Sequence, residues 1–118
     1  MDQNEKTFKY YVKQNEKLIQ LVKKVKESDD NDAFDKIYKR MEKYIKSIIS
    51  KFFISGLGDD DILQECLIAL RFKAINDYDE NKGPFIRFAK LCIRRHIITE
   101  LKACKKKKYL ALNSAFSL

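Results

Sequence analysis

Aromatic and cationic side chains alternate in one short stretch, Phe85-Ile86-Arg87-Phe88-Ala89-Lys90. Unpaired bases stack on aromatic rings, while lysine and arginine neutralise the phosphates between them. Arg94-Arg95-His96 follows one turn later, where a guanidinium can contact a guanine edge and His96 is expected to meet phosphate or solvent. Lys102 and the lysines at 105–108 add cations for phosphates. This order predicts a helix that binds single-stranded DNA at its start and duplex DNA beyond.

The distribution of charge supports a polyanionic partner. The chain carries 25 basic and 17 acidic residues, a net charge of +8. Residues 1–84 contain 16 of each sign, whereas residues 85–118 contain nine basic residues and one acid, Glu100. The whole excess of positive charge therefore lies in the segment that contains Phe85 and Phe88, which favours nucleic acid as the partner. A solvated lysine-rich tail and an acidic membrane surface are the alternatives.

A second cluster, Asp59-Asp60-Asp61 with Glu65, is acidic. Such carboxylates can hold a hard cation, but their commoner role at a helix N-terminus is to satisfy its exposed N–H groups. The chain has no glycine-rich phosphate loop and no HExxH pattern, so we expect neither an enzyme nor a cofactor. One histidine and three cysteines without a CxxC pair argue against a structural zinc site or disulfides. We therefore expect a cytoplasmic protein with no membrane span.

Four helices are predicted to position these groups, at about 4–27, 32–53, 62–76 and 84–106, the third beginning after Asp59-Asp60-Asp61. Apolar residues recur at helical spacing in each. In order along the chain, these predicted core positions are Phe8, Tyr11, Leu18, Val22 and Val25; Phe34, Ile37, Met41, Tyr44, Ile48 and Phe52; Ile62, Cys66, Ala69, Leu70 and Ala74; and Phe85, Phe88, Ala89, Cys92, Ile93, Ile97 and Leu101. Phe85 and Phe88 thus suit a core as well as a stacking platform.

Turn signals separate the predicted helices. Residues 28–32 (S-D-D-N-D) supply caps, and residues 55–58 (S-G-L-G) end the second helix. Pro84 suits the first turn of the fourth helix, since its missing N–H would have no partner there. The stretch 109–118 shows no clear hydrophobic periodicity, so it is predicted to be a strand-like segment, a docking tail or a disordered segment.

Four blocks in this order resemble region 2 of bacterial sigma-70 family sigma factors, in particular the sigma-H type. Residues 61–70 (DILQECLIAL) and 73–79 (KAINDYD) resemble the family's acidic-Gln-Glu helix and the stretch after it. Residues 85–89 (FIRFA) and 93–98 (IRRHII) match the patterns of regions 2.3 and 2.4. The resemblance implies an all-α, compact bundle of about four helices. It also implies that the sigma region 2 domain covers 32–108, that 1–31 form a region 1.2-like helix or a lineage-specific arm, and that 109–118 lead into a linker.

The resemblance also implies two partners. RNA polymerase core would be bound through the β′ clamp coiled coil, by Asp61, Gln64, Glu65 and Leu67. Promoter −10 DNA would be recognised and melted by the fourth helix. The residues implied for flipped bases and phosphates of the non-template strand are Phe85, Arg87, Phe88 and Lys90. At the duplex end the resemblance implies Arg95 with Ile98 or Thr99. Arg94, His96 and Lys102 are expected to contact DNA from their side-chain chemistry alone.

The chain departs from the family pattern in several places. Leu91-Cys92 stands where primary sigma factors have a Trp pair, and Cys66 and Ala69 replace glycines. Near Arg71-Phe72 the chain has one residue more than the pattern, and near Gly83-Pro84 one fewer.

Region 4, which reads the −35 element, is expected to come from a second subunit or from a missing C-terminal part. Two other functions stay open. A small co-sigma regulator would use only the clamp contact, and a polymerase-independent DNA-binding module would use only the basic helix.

Overall fold

The computed structural model describes residues 3–52 and 58–116, with side chains over 5–52 and 58–104. All regular structure in the described residues is helical, which confirms the all-α expectation. The elements in chain order are α1 (Gln3–Ser28), α2 (Asn31–Phe52), α3 (Asp59–Ile68), a π-helical segment (Ala69–Ala74), α4 (Ile75–Asp77), a 3-10 turn (Glu80–Lys82) and α5 (Phe85–Phe116).

A two-residue turn reverses the chain between α1 and α2. Asp29 has a positive φ of 56°, a conformation that Asp tolerates better than most residues. Its carboxylate forms an ion pair with Arg71. Asp30 then caps α2, because its Oδ1 accepts hydrogen bonds from the backbone N–H of Asp32 at 3.0 Å and of Ala33 at 3.2 Å. The predicted caps at 28–32 are thus confirmed.

The core lies where the C-terminal half of α1, most of α2, α3, the π segment and the first half of α5 meet. The predicted α3 and π-segment positions, Ile62, Cys66, Ala69, Leu70 and Ala74, are all fully buried. The stripes of α1 and α2 are only partly confirmed. Leu18, Val22 and Val25 are buried, but Phe8 and Tyr11 are 70% and 65% exposed, because the first turns of α1 extend past the core.

The extra residue near Arg71-Phe72 coincides with the π-helical segment Ala69–Ala74. A π turn closes i→i+5 hydrogen bonds and so holds one residue more than an α turn. Leu70 and Ala74 therefore remain fully buried on either side of the wide turn. The wide turn lets the chain carry the additional residue and keep one continuous apolar face.

The start of α5 is held by residues from three parts of the chain. Gly83 has φ +92°, a conformation that side chains disfavour, and Tyr78 donates its hydroxyl to the Gly83 carbonyl at 2.7 Å. Asn15 of α1 accepts a hydrogen bond from the Phe85 N–H at 3.0 Å and so caps the helix from 70 residues away. Pro84 precedes the first helical residue and does not stand inside the first turn.

Helix α5 is longer than the sequence predicts, since it continues through the stretch 109–116 to Phe116. Straight-chain residues such as Lys and Leu favour helix even without an apolar stripe, which explains the extension. The predicted cap at 55–58 lies outside the described residues except for Gly58, which precedes α3. None of the described helices is both long and apolar enough to cross a bilayer.

Candidate nucleic-acid interface

Helix α5 turns a cationic face away from the core. Its buried side consists of Phe85, Ala89, Ile93, His96 and Ile97. The exposed side carries the predicted cations Arg87, Lys90, Arg94, Arg95 and Lys102. None of these five forms an ion pair with a described residue; Lys90 lies 5.3 Å above the Tyr44 ring. The structure therefore presents these cations together to solvent, while the side chains at 105–108 lie outside the described residues.

Phe85 does not share this exposed face. Its side chain is fully buried, and its ring packs edge-on against Tyr78 with the centroids 5.1 Å apart. The expectation that Phe85 stacks on a base is not met in this conformation. The physical reason is local: Gly83 and Asn15 set the direction in which α5 begins, and the first aromatic residue then points into the core.

Phe88 occupies an intermediate position. Its ring is half-buried, 5.7 Å from the Tyr78 ring and 5.0 Å from the Lys82 ammonium group. Lys82 therefore covers part of the ring by a cation–π contact. Thr99 lies on the exposed surface but bonds its own helix, since its hydroxyl donates to the Arg95 carbonyl at 2.9 Å.

His96 is buried, with 7% of its surface exposed, so the expectation that it meets phosphate or solvent is wrong. Its Nε2 lies 2.6 Å from Oε2 of Glu65 on α3, and its Nδ1 lies 2.8 Å from Nζ of Lys73 in the π segment. Burial is tolerated because both ring nitrogens have partners. His96 thus joins α3, the π segment and α5.

The chemistry of the partners determines the proton positions on His96. Lysine can only donate, so Nδ1 accepts from Lys73 and Nε2 carries the proton that is donated to Glu65. Ligand atoms of Glu65, His96 and Glu100 lie within 4.8 Å of one another, an arrangement that raises the question of a metal site. A metal-bound histidine normally donates its other N–H to an acceptor, whereas here that nitrogen faces a donor. The contacts therefore suit a chain of hydrogen bonds from Lys73 through His96 to Glu65 and not a set of metal ligands. We call this chain of hydrogen bonds the relay.

The residues expected to contact polymerase share the outer side of α3. Asp61 and Gln64 are exposed, and Leu67 is half-buried. Glu65 is also half-buried, with 31% of its side chain exposed, because it is drawn towards His96. The structure thus brings the four residues together on α3. Of their two carboxylates, that of Glu65 accepts a hydrogen bond from His96, whereas that of Asp61 forms no ion pair with a described residue.

A groove lies between α1 and the start of α5, and its lining includes two aromatic residues that were predicted to be in the core. It encloses about 700 Å³ and includes Phe8 and Tyr11 of α1 beside Arg87 and Lys90 of α5. We call it the aromatic groove. In the sequence, Phe8 and Tyr11 are three residues apart and therefore lie on one side of α1. Both precede the buried part of α1, which begins at Leu18, and so they remain available to line the groove.

Two of the described cysteines, Cys66 and Cys92, are shielded from solvent by the fold. Cys66 is fully buried, and this burial, with the nearby Glu65 carboxylate, raises the pKa of its thiol to about 12. Burial likewise raises the pKa of the Cys92 thiol. Both thiols therefore keep their protons at neutral pH, and since the thiolate is the reactive form, they are poor nucleophiles.

Comparisons with known proteins identify relatives of the chain. The chain is 38% identical over 90 residues to the "RNA polymerase sigma-H factor" of Bacillus subtilis strain 168 and to the protein of the same name from Bacillus licheniformis. These matches cover 75% of the chain but only 41% and 40% of the two relatives. No solved structure is significantly similar to the chain.

The match to the family is continuous over the helices that carry the site. The model of sigma-70 region 2 matches residues 37–107, from early α2 through the cationic part of α5. That span includes α3, the π segment and every residue placed above on the exposed face of α5. The chain therefore belongs to the sigma-70 region 2 family.

Proposed function

We propose that this chain is the part of a cytoplasmic sigma factor that binds RNA polymerase core and recognises and melts the promoter −10 element. The observation that carries this proposal is the exposed face of α5, where five cations lie opposite the buried side of the same helix. Such a face attracts the phosphate backbone of DNA. The two relatives, which are named as RNA polymerase sigma factors, supply the link to transcription.

The outer side of α3 is proposed as the surface for polymerase. Asp61, Gln64 and Leu67 are accessible there without unfolding of the helix. The β′ clamp coiled coil is the expected partner. This surface lies on a different helix from the cations of α5, so polymerase and DNA need not compete for the same residues.

Gln64→Ala is expected to weaken binding to RNA polymerase core about tenfold, because it removes an exposed hydrogen-bonding group from the proposed contact. The measurement is the affinity of the purified chain for core polymerase. Asn31→Ala is the matched control, since it truncates an exposed amide on α2 that lines neither groove described for this chain. Equal binding by wild type and Gln64→Ala would refute the α3 contact. Binding of DNA without any binding of core would favour a DNA module that is independent of polymerase.

The aromatic groove is proposed as the platform for unstacked bases of the non-template strand. Phe85 is buried and Phe88 is partly covered, whereas Tyr11 and Phe8 are largely exposed beside two cations. Rings next to Arg87 and Lys90 match the alternation of bases and phosphates along a single strand. The aromatic platform thus comes mainly from α1 and the phosphate contacts from α5.

Tyr11→Ala is expected to weaken binding of a single-stranded −10 oligonucleotide about tenfold, the size of one lost base stack. Phe72→Ala is the control. Phe72 is an aromatic residue of the π segment, 63% exposed, and it does not line the groove. Both variants should unfold like wild type, because both rings are mostly outside the core. An equal loss of affinity in the two variants, or no loss in Tyr11→Ala, would contradict the assignment.

The duplex end of the −10 element is proposed to meet Arg94, Arg95, Thr99 and Lys102, further along the same face of α5. The chain spans about two fifths of the length of the relatives it matches. Recognition of a −35 element is therefore proposed to come from a second subunit or from a further part of a longer protein.

A further inference from the structure

A second concentration of positive charge lies between α1 and α2, in a part of the sequence whose charges balance. A groove of about 410 Å³ runs along these two helices. We call it the basic groove; its lining residues are Lys17, Gln20, Leu21, Lys24, Lys36, Lys39 and Arg40. Five of the seven are cations, and no carboxylate lines this part of the described surface. Residues 1–84 carry equal numbers of basic and acidic residues, but the fold places five of the basic ones together on this surface.

The five cations of the basic groove lack acidic partners. None of them forms an ion pair with a described residue, although Arg40 donates a hydrogen bond to the Gln14 amide. Other lysines of the same helices are paired, Lys23 with Glu80 and Lys46 with Glu42, both at 3.2 Å. Like charges four residues apart, as in Lys36 and Arg40, destabilise a helix. An anion bound in the groove would relieve this repulsion.

We propose that the basic groove binds the phosphate backbone of duplex DNA, as a contact separate from α5. Leu21 is its one apolar lining residue, whereas protein–protein interfaces are depleted of lysine and rich in aromatic residues. Lysine ammonium groups spread over two helices suit a row of phosphates, which lysine binds as point charges. The identity of the polyanion rests on the proposed function, but none of the residues comes from α5.

The test compares Lys36→Gln/Lys39→Gln with the control Lys43→Gln/Lys51→Gln. Both double variants remove two exposed lysines from α2, but the control lysines do not line the basic groove. Affinity for a duplex of about 25 base pairs is measured from ~50 to ~200 mM salt. The slope of log affinity against log salt should become shallower by nearly two in the groove variant, since each lost phosphate contact contributes about 0.9. The control slope should match that of wild type.

Two further measurements separate this inference from the proposed function. Arg94→Gln/Arg95→Gln tests α5, and core polymerase binding is measured for every variant. If the α5 variant loses DNA affinity while the groove variant matches its control, the basic groove does not bind DNA but the proposed function stands. If the α5 variant binds DNA like wild type, the proposed function of α5 fails independently. If the groove variant loses polymerase and keeps its salt slope, the ligand is an acidic protein surface and the inference is overturned.

Discussion

Phe85→Ala is expected to lower the free energy of unfolding by about 3–5 kcal/mol, the usual cost of truncating a buried phenylalanine. Phe85 is fully buried, and its ring packs edge-on against Tyr78. The substitution leaves a cavity at the point where Asn15 and Tyr78 hold the start of α5, so neighbouring groups cannot easily collapse into it. Urea unfolding followed by circular dichroism measures the change.

Phe88→Ala provides the comparison for this prediction. The Phe88 ring is half-buried, so its truncation should cost clearly less than that of Phe85, about 1–2 kcal/mol. Binding of a single-stranded −10 oligonucleotide is measured on both variants at a temperature where both are folded. A Phe85→Ala protein that is as stable as wild type but has lost affinity for single strands would show that this ring turns outward to stack on bases.

Glu65→Lys is expected to destabilise the fold by about 2 kcal/mol. The new ammonium group would stand beside His96 and close to Lys73, and the Nε2–H of His96 would lose its acceptor. Loss of a hydrogen bond to a charged acceptor costs about 1.5–3 kcal/mol. The value should fall short of the 3–5 kcal/mol of a fully buried ion pair, because water reaches 31% of the Glu65 side chain. Thermal and urea unfolding both report it.

Glu65→Gln is the conservative control, because its amide oxygen can still accept the hydrogen bond from His96. It should lose less than half as much stability as Glu65→Lys. Equal stability of wild type and Glu65→Lys would show that the contact of Glu65 with His96 contributes nothing to the fold. Loss of polymerase binding in Glu65→Lys therefore does not by itself locate the contact surface, whereas Gln64→Ala does so without touching the relay.

The helices and their buried faces could be predicted from the sequence because both depend on local order. Apolar residues at a spacing of three and four indicate a helix and the side of it that can face a core. Accordingly Ile37, Met41 and Ile62 are buried as predicted, and Asp30 caps α2. The blocks that resemble sigma region 2 are likewise local, and the match over 37–107 confirms the family.

The sites could be predicted only in part, because a pattern tells which residues share a helix face but not what that face meets. Arg87, Arg94 and Lys102 are exposed together as predicted. Phe85 and His96 lie on the same helix, but on the side that the other elements cover, so both side chains are buried. In the other direction, the spacing that predicted burial of Phe8 and Tyr11 failed, because α1 extends past the helix that it packs against.

The sequence by itself determined the all-helical fold, the family and the cationic face of α5, since each follows from residues close together in the chain. Only the tertiary structure decided the cap from Asn15 on α5, the relay from Glu65 through His96 to Lys73, and the two grooves that α1 forms with α5 and α2. These features join groups that lie as much as 82 residues apart along the chain. Their hydrogen bonds and electrostatic fields depend on distance in space, which the packing of the helices sets and the order of residues along one helix does not.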